Sequence, residues 1–212
     1  MKIAVFGASG RIGSRIVQEA LNRGHDVTAI ARHPEDYTVI HDHLKVAKGD
    51  LFDAQDVETG AFNQDAVVCA YSNTKGAPAS TIAELPIPLI KGLKQAHTKR
   101  LIIVGGAGSL EVAPGTQLVD TPNFPVEYKS TALAHRDALK IFKNEKELDW
   151  TYVSPAAEIA PGERSGKFRT GGTQLLKDEQ GKSFISMQDF AVAIIDEIEN
   201  PLHIREQMTV AY

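Results

Sequence analysis

Near the N-terminus, Gly7-Ala8-Ser9-Gly10-Arg11-Ile12-Gly13 spaces three glycines as G-x-x-G-x-x-G. That spacing suits a turn that cradles phosphate. The first glycine allows a tight turn, the second lets backbone approach a pyrophosphate, and the third lets a helix pack closely on a strand. A helix opening at this loop would aim unpaired N–H groups and a partial positive charge at the phosphates. Ser9 adds a hydroxyl donor. Gly7, Ser9, Gly10, Arg11, Ile12 and Gly13 are the expected cofactor-binding residues of the loop, and the ligand they imply is a dinucleotide.

The neighbouring elements must be a strand and a helix for this chemistry to hold. Ile3-Ala4-Val5-Phe6 is an apolar run of the kind that forms a strand buried on both faces. Ile12, Ile16, Val17, Ala20 and Leu21 then recur at helical spacing, and Gly24 follows as a C-terminal cap. Val27–Ala31 is the next strand. A dinucleotide-binding β-α-β unit ends this strand with an acid when it selects NAD. Here Arg32 stands 19 residues beyond Gly13. A guanidinium forks onto phosphate, so the residue favours NADP(H) over NAD(H). Arg11 can join it at the phosphate, and Asp36 is the alternative partner for the ribose. After a third strand, Leu44–Ala47, Asp50 can accept from the adenine amino group while Leu51 packs on the ring. Asp50 or Asp53 would equally cap a helix beginning at Ala54.

The alternation continues along the chain. Helices are expected over Ala54–Phe62, Ala83–His97 and Ser130–Glu147, and strands over Ala66–Ala70, Arg100–Val104 and Trp150–Val153. This order predicts an α/β fold, a doubly wound parallel sheet with helices on both faces. The tail breaks the rhythm. Short strands are expected at Lys167–Arg169, Gln174–Lys177 and Ser183–Ile185, then a helix over Asp189–Glu199 and a closing strand over Met208–Tyr212. The chain is expected to form a single domain over 1–212, with 157–212 as a substrate-side C-terminal elaboration over the strand ends.

The 212 residues carry 23 Lys+Arg against 27 Asp+Glu, a net charge of −4 with no long run of one sign. No basic excess marks a nucleic-acid surface. The single cysteine, Cys69, cannot close an intramolecular disulfide, which fits a reducing cytosol. No stretch approaches the ~20 apolar residues of a membrane span, and the run before Gly7 is too short for a signal-peptide core. The expectation is a cytoplasmic protein, with no membrane or nucleic-acid partner, as a monomer or homodimer.

The glycine loop, the Gly49-Asp50 pair, Val67–Ala70 and the turn after the sixth strand resemble the atypical short-chain dehydrogenase/reductase superfamily. Val104-Gly105-Gly106-Ala107-Gly108-Ser109-Leu110, Asp149–Ala156, Gly162-Glu163-Arg164 and Gly166–Arg169 narrow the resemblance. They point to the bacterial NADH-flavin reductase group, which is related to biliverdin reductase B and to NmrA-like proteins. The resemblance covers the whole chain and implies an NAD(P)-binding Rossmann fold. It further implies that Ala70, Tyr71 and Ser72 line the nicotinamide ribose and that Gly105 and Gly106 floor the ring. Ser154, Pro155 and Ala156 would meet the carboxamide.

Typical members carry Tyr-x-x-x-Lys on the helix after the fifth strand, where the tyrosine donates a proton. Here Lys129 follows Tyr128 directly and Ala132 stands at the lysine position. Ser109 and Tyr128 are the nearest hydroxyls and the only catalytic candidates; no dedicated acid is expected. Two functions follow. One is an NAD(P)H-dependent reductase passing hydride to a small-molecule acceptor such as a flavin or quinone, with flavin as substrate. The other is a non-catalytic NADP-binding sensor that regulates a partner protein. His33, Asp36, His41, Asp42 and His43 are read as polar loop residues rather than a metal site. His135 and Asp137 are read as helix-surface residues, and Cys69 as a small buried apolar residue. Lys94, Lys99 and Arg100 are read as a solvated helix end.

Overall fold

Ile3, Ala4, Val5 and Phe6 are all buried in β1 (Lys2–Phe6), a strand inside an eight-stranded sheet. The computed structural model describes residues 1–72 and 77–212, with Asp36 described by its backbone alone. From β1 the chain passes through α1 (Gly13–Asn22) to β2 (Asp26–Ala31), which pairs parallel to β1 with Lys2 opposite Asp26. β3 (Leu44–Lys48) extends the sheet on that side. After α2 (Ala54–Ala61) the chain crosses to the other side of β1, where β4 (Ala66–Cys69) pairs with Ile3 opposite Ala66. α3 (Ser80–Glu84) and α4 (Pro86–Gln95) lead to β5 (Arg100–Val104) beside β4. A hairpin of β6 (Glu111–Ala113) and β7 (Thr116–Gln117) precedes α5 (Val126–Asn144) and β8 (Asp149–Pro155). Then come β9 (Glu158–Ala160), β10 (Arg169–Gly171), β11 (Phe184–Ser186), α6 (Met187–Glu199) and β12 (Glu206–Ala211).

The sheet order is β10-β12-β8-β5-β4-β1-β2-β3. β10 runs antiparallel to β12 at one edge and the other pairings are parallel. This is the doubly wound sheet expected from the sequence. The winding reverses between β1 and β4, which is the switch point where open α/β sheets bind ligands. One face is covered by α1 and α6, with Ile16, Val17, Ala20, Phe190, Ile194 and Ile195 buried between helices and sheet. Val57, Leu89, Leu93, Leu139, Phe142, Trp150 and Tyr152 fill the other core, under α2, α4 and α5.

Four expectations about elements need correction. The single helix over Ala83–His97 is two, broken at Leu85 because Pro86 lacks the N–H that would continue α3 and instead starts α4. The helix expected from Ser130 begins at Val126, directly after Pro125 at its N-cap, and ends at Asn144. Gln174–Lys177 forms no strand; Gln174 makes an isolated bridge to Glu111. Residues 157–212 are more than a cover, since α6, β10 and β12 complete the sheet and one of its faces.

At the amino-terminal end of the strands, a buried polar knot joins this tail to the sheet. Glu197 on α6 is 3% exposed. It accepts from Arg100 Nη2 at 2.9 Å, from the His203 amide at 2.9 Å and from the Leu202 amide at 3.1 Å. His203 Nδ1 lies 2.9 Å from its other oxygen. Burial pushes the Glu197 carboxyl up, but the His203 ring and the His203 and Leu202 amides outweigh it, and the group sits below the ordinary carboxylate range. Its stabilisation is therefore present above the unfolded pKa and is lost as pH falls through the lower, folded pKa. Glu197→Gln leaves Arg100 without its buried counter-charge and should cost about 3 kcal/mol at pH 7. Urea unfolding at pH 7 and at pH 4 should show the difference between variant and wild type shrinking at the acid pH. A constant difference would mean that the carboxylate's charge is not what stabilises the knot.

Candidate functional site

A cleft of about 460 Å³ opens at the carboxyl ends of the strands around the switch point. The glycine loop forms one wall. Gly7 has φ +76°, and a Cβ there would lie 2.7 Å from the Ala70 carbonyl oxygen, so only glycine fits this turn. The Gly10 amide donates to Gly7 O at 3.0 Å and closes the turn. At Gly13 a Cβ would stand 2.1 Å from Gly7 O, so β1 and α1 meet backbone to backbone. α1 has no side-chain cap at its N-terminus and no acidic residue in its first turn. The Ser14 amide donates to Gly10 O at 2.9 Å and the Arg15 amide to Ile12 O at 3.0 Å, and the positive end of the helix dipole lies at the glycine loop.

Gly7, Ser9, Gly10, Arg11 and Ile12 all line this cleft. Gly13 is buried behind them and serves the helix–strand contact. From the end of β2 come Ile30, Ala31 and Arg32, and from the end of β3 come Gly49, Asp50, Leu51 and Phe52. Arg11 and Arg32 are exposed, and among the described residues neither has a carboxylate partner. The Asp36 side chain lies outside the described residues. Asp53, not Asp50, caps α2, its Oδ1 accepting from the Gln55 amide at 2.8 Å. Asp50 instead turns the chain, accepting from the Phe52 amide at 3.0 Å.

Ala70, Tyr71 and Ser72 line the far side of the cleft, after β4. The Tyr71 hydroxyl donates to Thr81 Oγ1 at 3.2 Å, and the ring meets Phe52 edge-on at 5.3 Å. Val104, Ile159 and Met187 complete that end. Phe52, Ile159 and Met187 are not among the residues expected from the sequence. Phe52 follows directly on Asp50-Leu51. Ile159 lies in the three-residue strand β9 and Met187 is the first residue of α6, and neither carries a local signal.

The other expected residues lie elsewhere. Gly105 is buried, and a Cβ there would be 2.0 Å from the Tyr152 ring; it is a packing glycine. Gly106 lies against the His135 ring. Ser154, Pro155 and Ala156 are buried and do not line the cleft. Gln207 Nε2 donates to both Ser109 Oγ, at 2.9 Å, and Ser154 Oγ, at 3.0 Å, so both hydroxyls fasten the end of β8 to β12 and the β5 turn. Tyr128 is 64% exposed on the first turn of α5. His135 is not a surface residue. Its Nδ1 lies 3.1 Å from the Tyr152 hydroxyl, which donates to the His135 carbonyl at 3.0 Å, and burial pushes the imidazole down to about 4. Burial likewise pushes the Cys69 thiol up to about 12, where it is no nucleophile. His33 and His43 are exposed and pair with Glu35 and Asp26. Arg100, expected at a solvated helix end, is committed to the Glu197 knot.

Gly105→Ala distinguishes packing from cofactor contact. It should cost about 3 kcal/mol, the upper part of the range for overpacking a core, because the Tyr152 ring it would meet at 2.0 Å is fully buried. Urea unfolding checks this. An unchanged midpoint would return Gly105 to the role of nicotinamide floor.

No helix among the described residues is long and apolar enough to cross a membrane. A family model for NAD(P)H-binding proteins matches residues 7–201. Three solved structures are similar over the whole chain. A candidate exported protein of Burkholderia pseudomallei is 50% identical, with TM-score 0.92 and full coverage of both chains. A candidate epimerase of Bacteroides thetaiotaomicron is 40% identical, with TM-score 0.93, covering 100% of this chain and 96% of that one. A candidate NADH-flavin reductase of Streptococcus pneumoniae is 34% identical, with TM-score 0.88, covering 100% and 99%. With its glycine loop, switch-point cleft and a family match over residues 7–201, the chain belongs to the NAD(P)H-binding family.

Proposed function

We propose that this protein is an NADPH-dependent reductase that passes hydride to a flavin, quinone or similar conjugated acceptor. The observation that carries the reading is the pairing of an uncapped α1 N-terminus with Arg11 and Arg32 in one cleft. The loop amides and the helix dipole would hold the pyrophosphate, Asp50 and Leu51 the adenine, and Arg32 the 2′-phosphate. Tyr71, Ser72 and Val104 would border the nicotinamide. Bound there, the nicotinamide supplies the hydride. With a quinone the balance is NADPH, a proton and quinone giving NADP⁺ and quinol, the proton coming from water.

Among the described residues, neither Ser109 nor Tyr128 is set at that end of the cleft as a proton donor. Ser109 is fastened to Gln207, and Tyr128 is exposed on α5. A carbonyl acceptor needs such a donor, whereas a flavin or quinone takes its proton from water. This favours conjugated acceptors, and it weighs against carrying over the epimerase name of the Bacteroides protein. The name of the Streptococcus protein agrees with the reading.

The test is NADPH oxidation with a panel of flavins and quinones. Turnover well above a heat-killed control is expected with at least one. Ser109→Ala and Tyr128→Phe should each lose much less than the ~10²–10⁴-fold that a general acid contributes. A loss of that size with cofactor binding intact would identify a dedicated acid. No turnover with any acceptor would favour the sensor.

Cofactor choice is tested at Arg32. A charge-assisted contact is worth about 1.5–3 kcal/mol, or roughly 10–150-fold in affinity. Arg32→Ala should weaken NADPH by that factor and leave NADH almost unchanged. Arg32→Asp should go further, by repelling the phosphate and accepting from the ribose of NADH. The measurement is the ratio of the two dissociation constants. An equal ratio in wild type and Arg32→Ala would move selectivity to Arg11 or remove it.

A further inference from the structure

Glu19 lies on α1, the helix that opens at the glycine loop, and it is only 4% exposed. Two arginines hold it. Arg23, one turn on, donates through Nε at 2.7 Å. Arg164 donates through Nε and Nη2 to the two carboxylate oxygens, each at 2.7 Å, in a two-pronged contact. The Arg164 hydrogen bond is the main reason why the Glu19 carboxyl sits below the ordinary range.

Arg164 belongs to the segment 161–168 between β9 and β10. A second buried carboxylate, Asp189 in the first turn of α6, holds the same segment. It accepts from Ser165 Oγ at 2.5 Å and from the Gly166 amide at 2.8 Å. Two further bonds bracket Met187: Ser186 Oγ donates to the Glu163 carbonyl at 2.7 Å, and the Gly162 amide donates to Gln188 Oε1 at 2.9 Å. β9, which carries Ile159, pairs with β11 just before Met187, with Ile159 opposite Ile185. Ile159 and Met187 are the two residues from this part of the chain that line the cleft, and both are apolar. The segment is therefore bonded to the dinucleotide helix through Arg164 and to the apolar wall through residues on both sides of Met187.

We propose that Arg164 is a positioning residue for the hydride acceptor. Through Glu19 it fixes Ile159 and Met187 as an apolar wall over the nicotinamide end, shaped for a planar, uncharged ring such as a quinone. The inference rests on the reading of the cleft as an NADPH and acceptor site. A bidentate guanidinium fixes both distance and angle, whereas a lysine fixes only one contact. Small displacements of a wall that aligns the acceptor cost much in its capture.

The experiment uses the full chain with menadione as acceptor. It compares wild type, Arg164→Ala, Arg164→Lys and Met187→Ala. Arg164→Ala should raise KM for menadione about tenfold, with a smaller effect on kcat and no change in NADPH Kd. Met187→Ala should do the same, and Arg164→Lys should recover part of the loss. Hydrogen exchange in the NADP⁺-saturated protein gives a readout independent of turnover. The amides of Gly166 and Met187 should exchange faster in Arg164→Ala, while those of α1 stay as they were. An unchanged KM, or KM, kcat and NADPH Kd all worsening in parallel, would overturn the proposal. Where wild type turns over no acceptor, the reductase reading fails by itself and exchange alone decides. Unchanged exchange at Met187 would then sink the positioning role, and faster exchange would sustain it.

Discussion

The carbonyl oxygen of Gly7 occupies the space that a Cβ at residue 13 would need, with 2.1 Å between them. Backbone touches backbone there, and much else depends on that contact. It brings the start of α1 to the end of β1, on the inner side of the sheet where the winding reverses. A side chain at residue 13 would push the helix off the strand and carry the positive end of its dipole away from the cleft. It would also move Ile16, Val17 and Ala20, which are fully or almost fully buried against the sheet and α6. The phosphate-binding geometry and the packing of one whole face are thus set by the same two glycines.

The side of the cleft formed by Ile159 and Met187 is built differently. β9, β10 and β11 have three residues each, too few to bury a core of their own. Polar fasteners do the work that apolar area does elsewhere. Asp189 is fully buried yet satisfied by Ser165, Gly166 and Tyr212. Glu19 is satisfied by two arginines. Arg23 extends that group to Asp196 and Glu199 on α6, so the two helices on this face are joined by charge as well as by packing. Such groups fix a unique arrangement because each buried charge is costly in any other one.

This difference explains what could be read from the sequence. Short apolar runs and the G-x-x-G-x-x-G spacing are local signals, and the β-α-β order follows from them. The expected cleft residues between Gly7 and Ser72 are legible for the same reason, since each follows a recognisable strand, whereas Phe52 is not. Nor are Ile159 and Met187, because their position depends on hydrogen bonds between residues 23 to 26 apart, such as Ser186 to Glu163 and Gly162 to Gln188. Ser109 and Ser154 read as site residues from the strands they follow, yet Gln207, some 98 and 53 residues away, claims both. His135 could have been placed better. Ala138, Leu139 and Phe142 lie three, four and seven residues beyond it, so it shares the apolar stripe of α5, and its polarity outweighed its position in the reading.

The cleft's chemistry follows from where its polar groups ended up. Among the described residues Asp50 is the one carboxylate lining the cleft, and it stands at the β3 end, away from β5. At the other end, Val104, Ile159 and Met187 are apolar, and the Tyr71 hydroxyl is already donating to Thr81. The His135 imidazole is held behind Gly106 with Nδ1 on Tyr152 and is neutral at physiological pH. A site so arranged has charge to bind a dinucleotide at one end and little to stabilise an alkoxide at the other. In the proposed reductase, rate enhancement comes from alignment rather than from proton transfer by Ser109 or Tyr128. Alignment favours acceptors with a broad flat face, for which a rigid apolar wall is the fitting counterpart.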